Sequence, residues 1–344
     1  MSRRVDLSMV PLMAMLVLGL LAPISVAGEA QPAAAKTTTA AKPWTPPLTP
    51  DGQPDLRGIW TNFDPTPFEV PSSEDATRLA ALRRWFPANA PPANPGAVTD
   101  RRATREVSGF ADGPGSAPRN PRRRSMVADP PNGRVPVRPE AEAKRDHNLI
   151  HLTDSWEYHT PWERCITRGV PGGIFPPGYG AGYQILQAPG YVVILYEMIH
   201  EARIIPLDGR PHVPQNIRLW NGDSRGRWEG NTLVVDITNY NNKGSIATNI
   251  ATQGMRGIPQ SEALHVVERF TLVDADTINY EVTIDDPHIY TSPWKVALPM
   301  NRDRSYRIFE YACHEGNYGL VNSLRAGRAE DRAADEAAKN QQKK

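Results

Sequence analysis

Cysteine is scarce in this chain: Cys165 and Cys313 stand alone. They are far apart, and nothing around them forms a haem, zinc or redox cysteine motif. Charge of one sign is also missing. The 39 basic residues are balanced by 38 acidic ones, so no global bias draws the protein to nucleic acid or to an anionic membrane. Beyond residue 26 no apolar run is long enough to span a bilayer, so no stable membrane insertion is expected of the mature chain. Several catalytic signatures are lacking. There is no Gly-x-Ser-x-Gly elbow, and His200-Glu201 has no second histidine at zincin spacing. Gly172, Gly173 and Gly178 sit in a Pro-rich stretch with no following helix signal, so they do not form a phosphate cradle. No internal repeat is evident.

What is present begins with an address. The basic start MSRRVDLS is followed by an apolar run from Met9 to Val26, broken at Pro11 and Pro23, and then by Ser25-Val26-Ala27. Small residues at −3 and −1 after a short apolar stretch identify a secretory signal peptide over 1–27, against a membrane anchor as the alternative. The expected location is therefore periplasmic or secreted. Removing the net +1 of that segment leaves a neutral mature chain. In an exported protein the two cysteines form either a disulfide or two buried free thiols, and the compartment favours the disulfide.

Composition divides the remainder. Residues 28–46, rich in Ala, Thr, Pro and Lys, read as a flexible linker. Residues 47–180 form a Pro- and Arg-rich segment expected to wrap a core built elsewhere, with a first strand near 56–61. One helix is expected from Ser73 to Trp85, and another over 141–152 carrying His147 and His151. The stretch 101–145 holds 11 basic and 5 acidic residues and, lacking interleaved aromatics, reads as a solvated arginine loop.

From Tyr183 the pattern changes to short alternating runs separated by turns. Strands are expected at 183–187, 191–199, 202–206, 224–228, 232–238, 264–273, 277–284, 293–300 and 305–312. The stretch 264–284 predicts a hairpin with a three-residue turn at Asp274-Ala275-Asp276, pairing Leu272 with Ile278, Phe270 with Tyr280, Glu268 with Val282 and Val266 with Ile284. The fold class is mainly β. An antiparallel meander over 181–320 should close into a lipocalin-like barrel or a barrel-like sandwich. A charged helical tail should follow over 321–344.

Several phrases resemble a large uncharacterised family of exported bacterial proteins, common in acidobacteria. They include GQPDLRGIW (52–60), GRWEGNTLVVDITNY (226–240), SEALHVVERF (261–270) and TINYEVTIDDPHIYTSPW (277–294). The resemblance implies export and carries no activity. Gln260 stands where many relatives have a histidine, so the resemblance carries no metal or acid–base role over to that position. Gly58-Ile59-Trp60 also resembles the opening strand of lipocalin-like barrels.

The sharpest chemical signal is Glu268, a carboxylate in the middle of an apolar strand face. Such a group must be paired, protonated or exposed to a wet cavity. One reading makes it an acid, base or ligand anchor inside the barrel. The other makes it an internal ion pair with Arg203, Arg218 or Arg307. His200 and His265 are the candidate partners for catalysis. Tyr196, Arg203, Trp220 and Tyr280 are candidate ligand contacts among aromatics clustered around the β domain. His147 and His151, spaced i, i+4, do not complete a ligand set, so neither a metal nor a cofactor is expected. The function expected is binding of a small organic molecule or substrate outside the cytoplasm. The alternatives are a metal-independent periplasmic hydrolase or lyase, using Glu268 with His200 or His265 and an arginine, and a structural or accessory protein.

Overall fold

The computed structural model describes residues 44–64, 66–73, 124–175, 180–247 and 255–343, all within one compact unit, Trp44–Lys344. The signal segment, most of the linker and the body of the expected 73–85 helix lie outside the described residues.

Nine antiparallel strands follow one path around the molecule. In chain order the strands are β1 (Gly58–Thr61), β2 (Val127–Asp129), β3 (Gly182–Ala188), β4 (Tyr191–Tyr196), β5 (Ala202–Pro206), β6 (Asp223–Glu229), β7 (Thr232–Thr238), β8 (His265–Asp274), β9 (Thr277–Asp285) and β10 (Trp294–Arg302). The sheet order is β5-β4-β3-β1-β10-β9-β8-β7-β6, with β2 attached to β10 as a short branch. β1 pairs with both β3 and β10 and so joins the two hairpin arrays. The result is a meander nearly closed into a barrel. Among the described residues two helices lie outside it, α1 (Pro139–Ile150) and α2 (Tyr318–Gln342).

Parity explains why the closure is incomplete. Every neighbouring pair along the nine-strand path is antiparallel. An odd number of alternating strands leaves the two end strands, β5 and β6, running in the same direction. Parallel neighbours need a long crossover, and residues 207–222 supply it. No ladder joins β5 to β6 among the described residues. Side chains close that seam instead. Gly226 of β6 lies so close to β5 that a Cβ there would come within 2.8 Å of Ile205 and 2.6 Å of Leu207.

The β8–β9 register matches the expected one: Val266, Glu268, Phe270 and Leu272 face Ile284, Val282, Tyr280 and Ile278. An irregularity between Leu272 and Asp274 absorbs the extra residue of the turn, keeping the apolar set on one face. Alternate residues of the other strands, including Tyr183, Ile194, Ile237, Trp294 and Leu298, complete a filled interior.

Two expected strands are corrected. The 191–199 strand ends at Tyr196. A single 3₁₀ turn follows at Met198–His200, where Ile199 and His200 have positive φ and cannot continue a ladder. Residues 305–312 form no strand. The place beside β10 is taken by β1, and the chain turns away at Asp303, whose carboxylate accepts from the backbone N–H groups of Ser305 and Tyr306. The C-terminal helix also begins earlier than the expected tail, at Tyr318, because Asn317 caps it by accepting from Leu320 N–H.

Residues 166–175 cover the barrel end formed by the start of β3 and the ends of β4 and β7. Tyr183 and Tyr240 donate from their hydroxyls to Gly173 O and Val170 O, at 3.1 and 3.0 Å. Asn62 donates to Ile174 O at 2.6 Å. The Cys165–Cys313 disulfide, with Cα atoms 5.6 Å apart, fastens this covering segment to the stretch leading into α2. It spans 148 positions, for which chain-entropy reasoning gives a stabilisation of about 5 kcal/mol at most. Replacing both cysteines by serine should therefore lower unfolding free energy by roughly 2–5 kcal/mol in chemical denaturation. Mass spectrometry of the untreated protein should detect no free thiol.

Candidate functional site

Glu268 is fully buried, at 0% exposure, and it meets an arginine. Of the three arginines the sequence offers, Arg203 of β5 is the partner, with Nη1 2.6 Å from Oε2. Arg218 instead approaches Glu262, and Arg307 donates to backbone carbonyls. Tyr280 donates to the other Glu268 oxygen at 2.7 Å, and Arg203 Nε donates to Ser224 Oγ on β6 at 3.0 Å. Burial works against the Arg203 cation, but the charge of Glu268 and the neighbouring Tyr196 outweigh it and lift its pKa above the usual range. Burial pushes the Tyr196 hydroxyl up to about 12, and Tyr280 and Tyr240 rise for the same first reason. These phenols therefore stay neutral donors at any ordinary pH.

The structure thus gathers Glu268, Arg203, Tyr196 and Tyr280, and leaves the other expected site residues elsewhere. His265 is on the outer face, three positions from Glu268 and hence on the opposite side of the strand, where it contacts Asp236 at 3.1 Å. His200 is exposed in the 3₁₀ turn, with Nδ1 3.1 Å from Tyr311 O. Neither histidine is placed to exchange a proton with Glu268. Trp220 is outside the barrel altogether. Clefts of about 230 to 840 Å³ open among the described residues, and neither Glu268 nor Arg203 lines these. The inner cluster has the geometry of a sealed ion pair.

Trp220 instead forms part of a cleft of about 630 Å³ between the wrapping segment and the loops at one barrel end. One wall is α1 and the turn after it. Pro at the start of α1 suits a first helical turn, and Glu140 and Glu142 suit its N-terminal dipole. Arg145 on this helix is only 1% exposed and is ion-paired with Asp146 at 2.5 Å. The next turn, Trp156–Tyr158, is capped by Ser155, whose hydroxyl accepts from Glu157 N–H. The following turn is held by Glu163, which accepts from both the N–H and the hydroxyl of Thr160 at 2.8 and 3.0 Å.

The opposite wall contains residues 242–245 and 256–259. Gln260, buried behind it, donates to Asn241 O at 2.9 Å and packs where a Cβ on Gly244 would otherwise sit. Gln260 thus supports the cleft wall. Trp220 is set beside this wall by the Leu219–Tyr240 bridge. Arg256 ties the two walls together by pairing with Glu163.

His159 stands where this cleft meets a second, more apolar one beside α2. Its Nε2 is 3.2 Å from Ser323 Oγ, and its Nδ1 is 3.8 Å from Glu163. The second distance is too long for a hydrogen bond, so the three side chains form a tether for α2 rather than an assembled nucleophile relay. His147 and His151 stack one turn apart on α1, with ring centroids 4.3 Å apart and Tyr158 alongside.

Sequence reasoning missed this cleft because its residues come from four separated stretches with no common motif. Lys144 and Arg145 lay in the basic stretch read as solvated. The aromatic residues Trp156 and Trp220 were the one available signal. Searches of protein-family models, curated proteins and solved structures found no match.

Two measurements test these assignments. Glu268→Leu should destabilise by roughly 3–5 kcal/mol, because it leaves Arg203 buried without its carboxylate. Glu268→Leu combined with Arg203→Met should recover much of that loss in denaturant titrations. The second measurement concerns acid. Burial alone would raise the Glu163 pKa, but His159, the Arg256 charge and the Thr160 N–H bring it from 4.5 down to about 2. Between these values the unfolded chain binds the proton and the folded one does not. Stability from Glu163 is therefore complete above about 4.5 and is lost as pH falls toward 2. Glu163→Gln should flatten that part of the acid-unfolding curve.

Proposed function

We propose that this is an exported protein that binds a small organic molecule in the cleft between α1, the Trp156–Tyr158 turn and the 242–245 and 256–259 loops. The carrying observation is the cleft itself, about 630 Å³ in volume and lined by Trp156, Tyr158 and Trp220 together with amide, hydroxyl and charged groups. That volume and mixture of flat apolar surface with a few polar groups suit a small-molecule site. Its walls are braced by a disulfide, a cross-wall ion pair and a buried arginine, so binding would spend little on ordering the site.

Export is supported by the N-terminal segment, by the disulfide and by the resemblance to exported bacterial proteins. No described helix is long and apolar enough to cross a membrane. The barrel supports the reading as a scaffold. Its interior is packed with side chains, so the site is expected outside the wall. A lumenal enzyme built on Glu268 lacks support, since His200 and His265 are both outside.

A thermal-shift screen of small organic compounds tests the reading. A ligand at a hundred times its Kd should add about 2.7 kcal/mol to stability. Trp220→Ala should weaken a hit by about tenfold or more, as truncating a buried aromatic anchor does. Glu268→Gln should lower overall stability while leaving the ligand-dependent increment intact. Loss of that increment in Glu268→Gln, with Trp220→Ala silent, would return the site to the barrel interior.

A further inference from the structure

We infer that the ligand of this cleft is an organic anion, a carboxylate carried on a ring, taken up by Lys144, Arg164 and Lys243. The inference rests on the cleft being the binding site and adds the chemical class of what enters it.

The argument is local charge. The lining contains five cations, Lys144, Arg145, Arg164, Lys243 and Arg256, and two carboxylates, Glu157 and Glu163. This excess stands out because the whole chain is balanced, at 39 basic and 38 acidic residues. Two of the five are already engaged. Arg145 pairs with Asp146 and Arg256 pairs with Glu163. Among the described residues, Lys144, Arg164 and Lys243 form no ion pair.

Lys144 and Lys243 are exposed, and alone they would be ordinary solvated lysines. Arg164 is different. It is half-buried, and its guanidinium lies 4.5 Å over the Trp156 ring. Burial lowers its pKa and so disfavours its charged form, and Glu157 is the nearby carboxylate that offsets part of that. A guanidinium held over an indole ring keeps a cation beside a flat apolar face, and a guanidinium can receive a carboxylate through two parallel hydrogen bonds. The two lysines would add charge around that contact from α1 and from the facing loop. The ring of the ligand would then lie against Trp220 or Tyr158. Aromatic acids and sugar acids share this chemistry, and the test includes both.

Calorimetric titration of the full-length mature protein should compare matched pairs, 2-naphthoate with 2-naphthamide and galacturonate with galactose. The acid of at least one pair should bind about tenfold or more tightly than its neutral partner at low salt, as expected for a carboxylate meeting partly desolvated cations. The advantage should shrink toward unity in Arg164→Gln/Lys243→Gln and in high salt, which screens exposed charges. Which pair responds identifies the aromatic or the sugar source. Glu163 and Arg256 remain intact in that variant, so an unchanged unfolding midpoint separates lost binding from lost fold.

Neutral compounds binding as tightly as acids, with Trp220→Ala still weakening them, would overturn the anion inference and leave the cleft in place. Acid binding that is indifferent to both Trp220→Ala and the double variant would overturn the cleft as well. Failure of both acids to bind, while neutral screen hits do, would also refute the anion class.

Discussion

The constraint on which this structure turns is the seam between β5 and β6. Nine alternating strands leave their two ends parallel, and no backbone ladder joins them among the described residues. Arg203 spans the gap from β5. It donates to Ser224 on β6 and pairs with Glu268 on β8, which Tyr280 on β9 also holds. One guanidinium thereby links strands from both ends of the sheet path. A buried ion pair is a costly way to gain stability, because both charges must leave water. Its value here is geometric: it fixes how the open edges meet, with Gly226 providing the close approach that lets Ile205 and Leu207 pack across.

The filled interior then determines where chemistry can occur. A barrel of this size either encloses a ligand or fills itself with side chains. Here Trp294, Tyr280, Phe270 and their neighbours occupy it, and the wrapping segment closes one end through the hydroxyls of Tyr183 and Tyr240. That same segment must be anchored on the outside. The disulfide, the Glu163–Arg256 pair and buried Arg145 serve that purpose. Their spacing leaves a cleft between wrap and barrel. The cleft is thus a consequence of how a long Pro-rich insertion is secured against a compact β domain.

Much of the fold was legible in local pattern. Period-two alternation gave the β8–β9 register residue by residue, because a one-position slip would turn Val266, Phe270, Tyr280 and Ile284 outward. The same alternation placed Glu268 inside and His265 outside. It failed at 197–200 and 305–312, where apolar and aromatic residues resemble strands but positive φ at Ile199 and the competing β1 strand prevent pairing. Alternation records which face a residue takes; it does not record which strand will occupy the neighbouring edge.

By itself the sequence determined the β class, the main hairpin and the inward carboxylate, since each depends on side-chain periodicity, and it favoured a bridge between the two remote cysteines over two free thiols. Tertiary structure alone decided that Arg203 rather than Arg218 or Arg307 meets Glu268. It alone separated His200 and His265 from that pair, and it alone assembled Trp156, Arg164, Trp220 and Lys243 around one cleft. Partners such as these lie tens of residues apart, and their meeting is set by strand order, parity and the route of the wrapping segment, which no local spacing encodes.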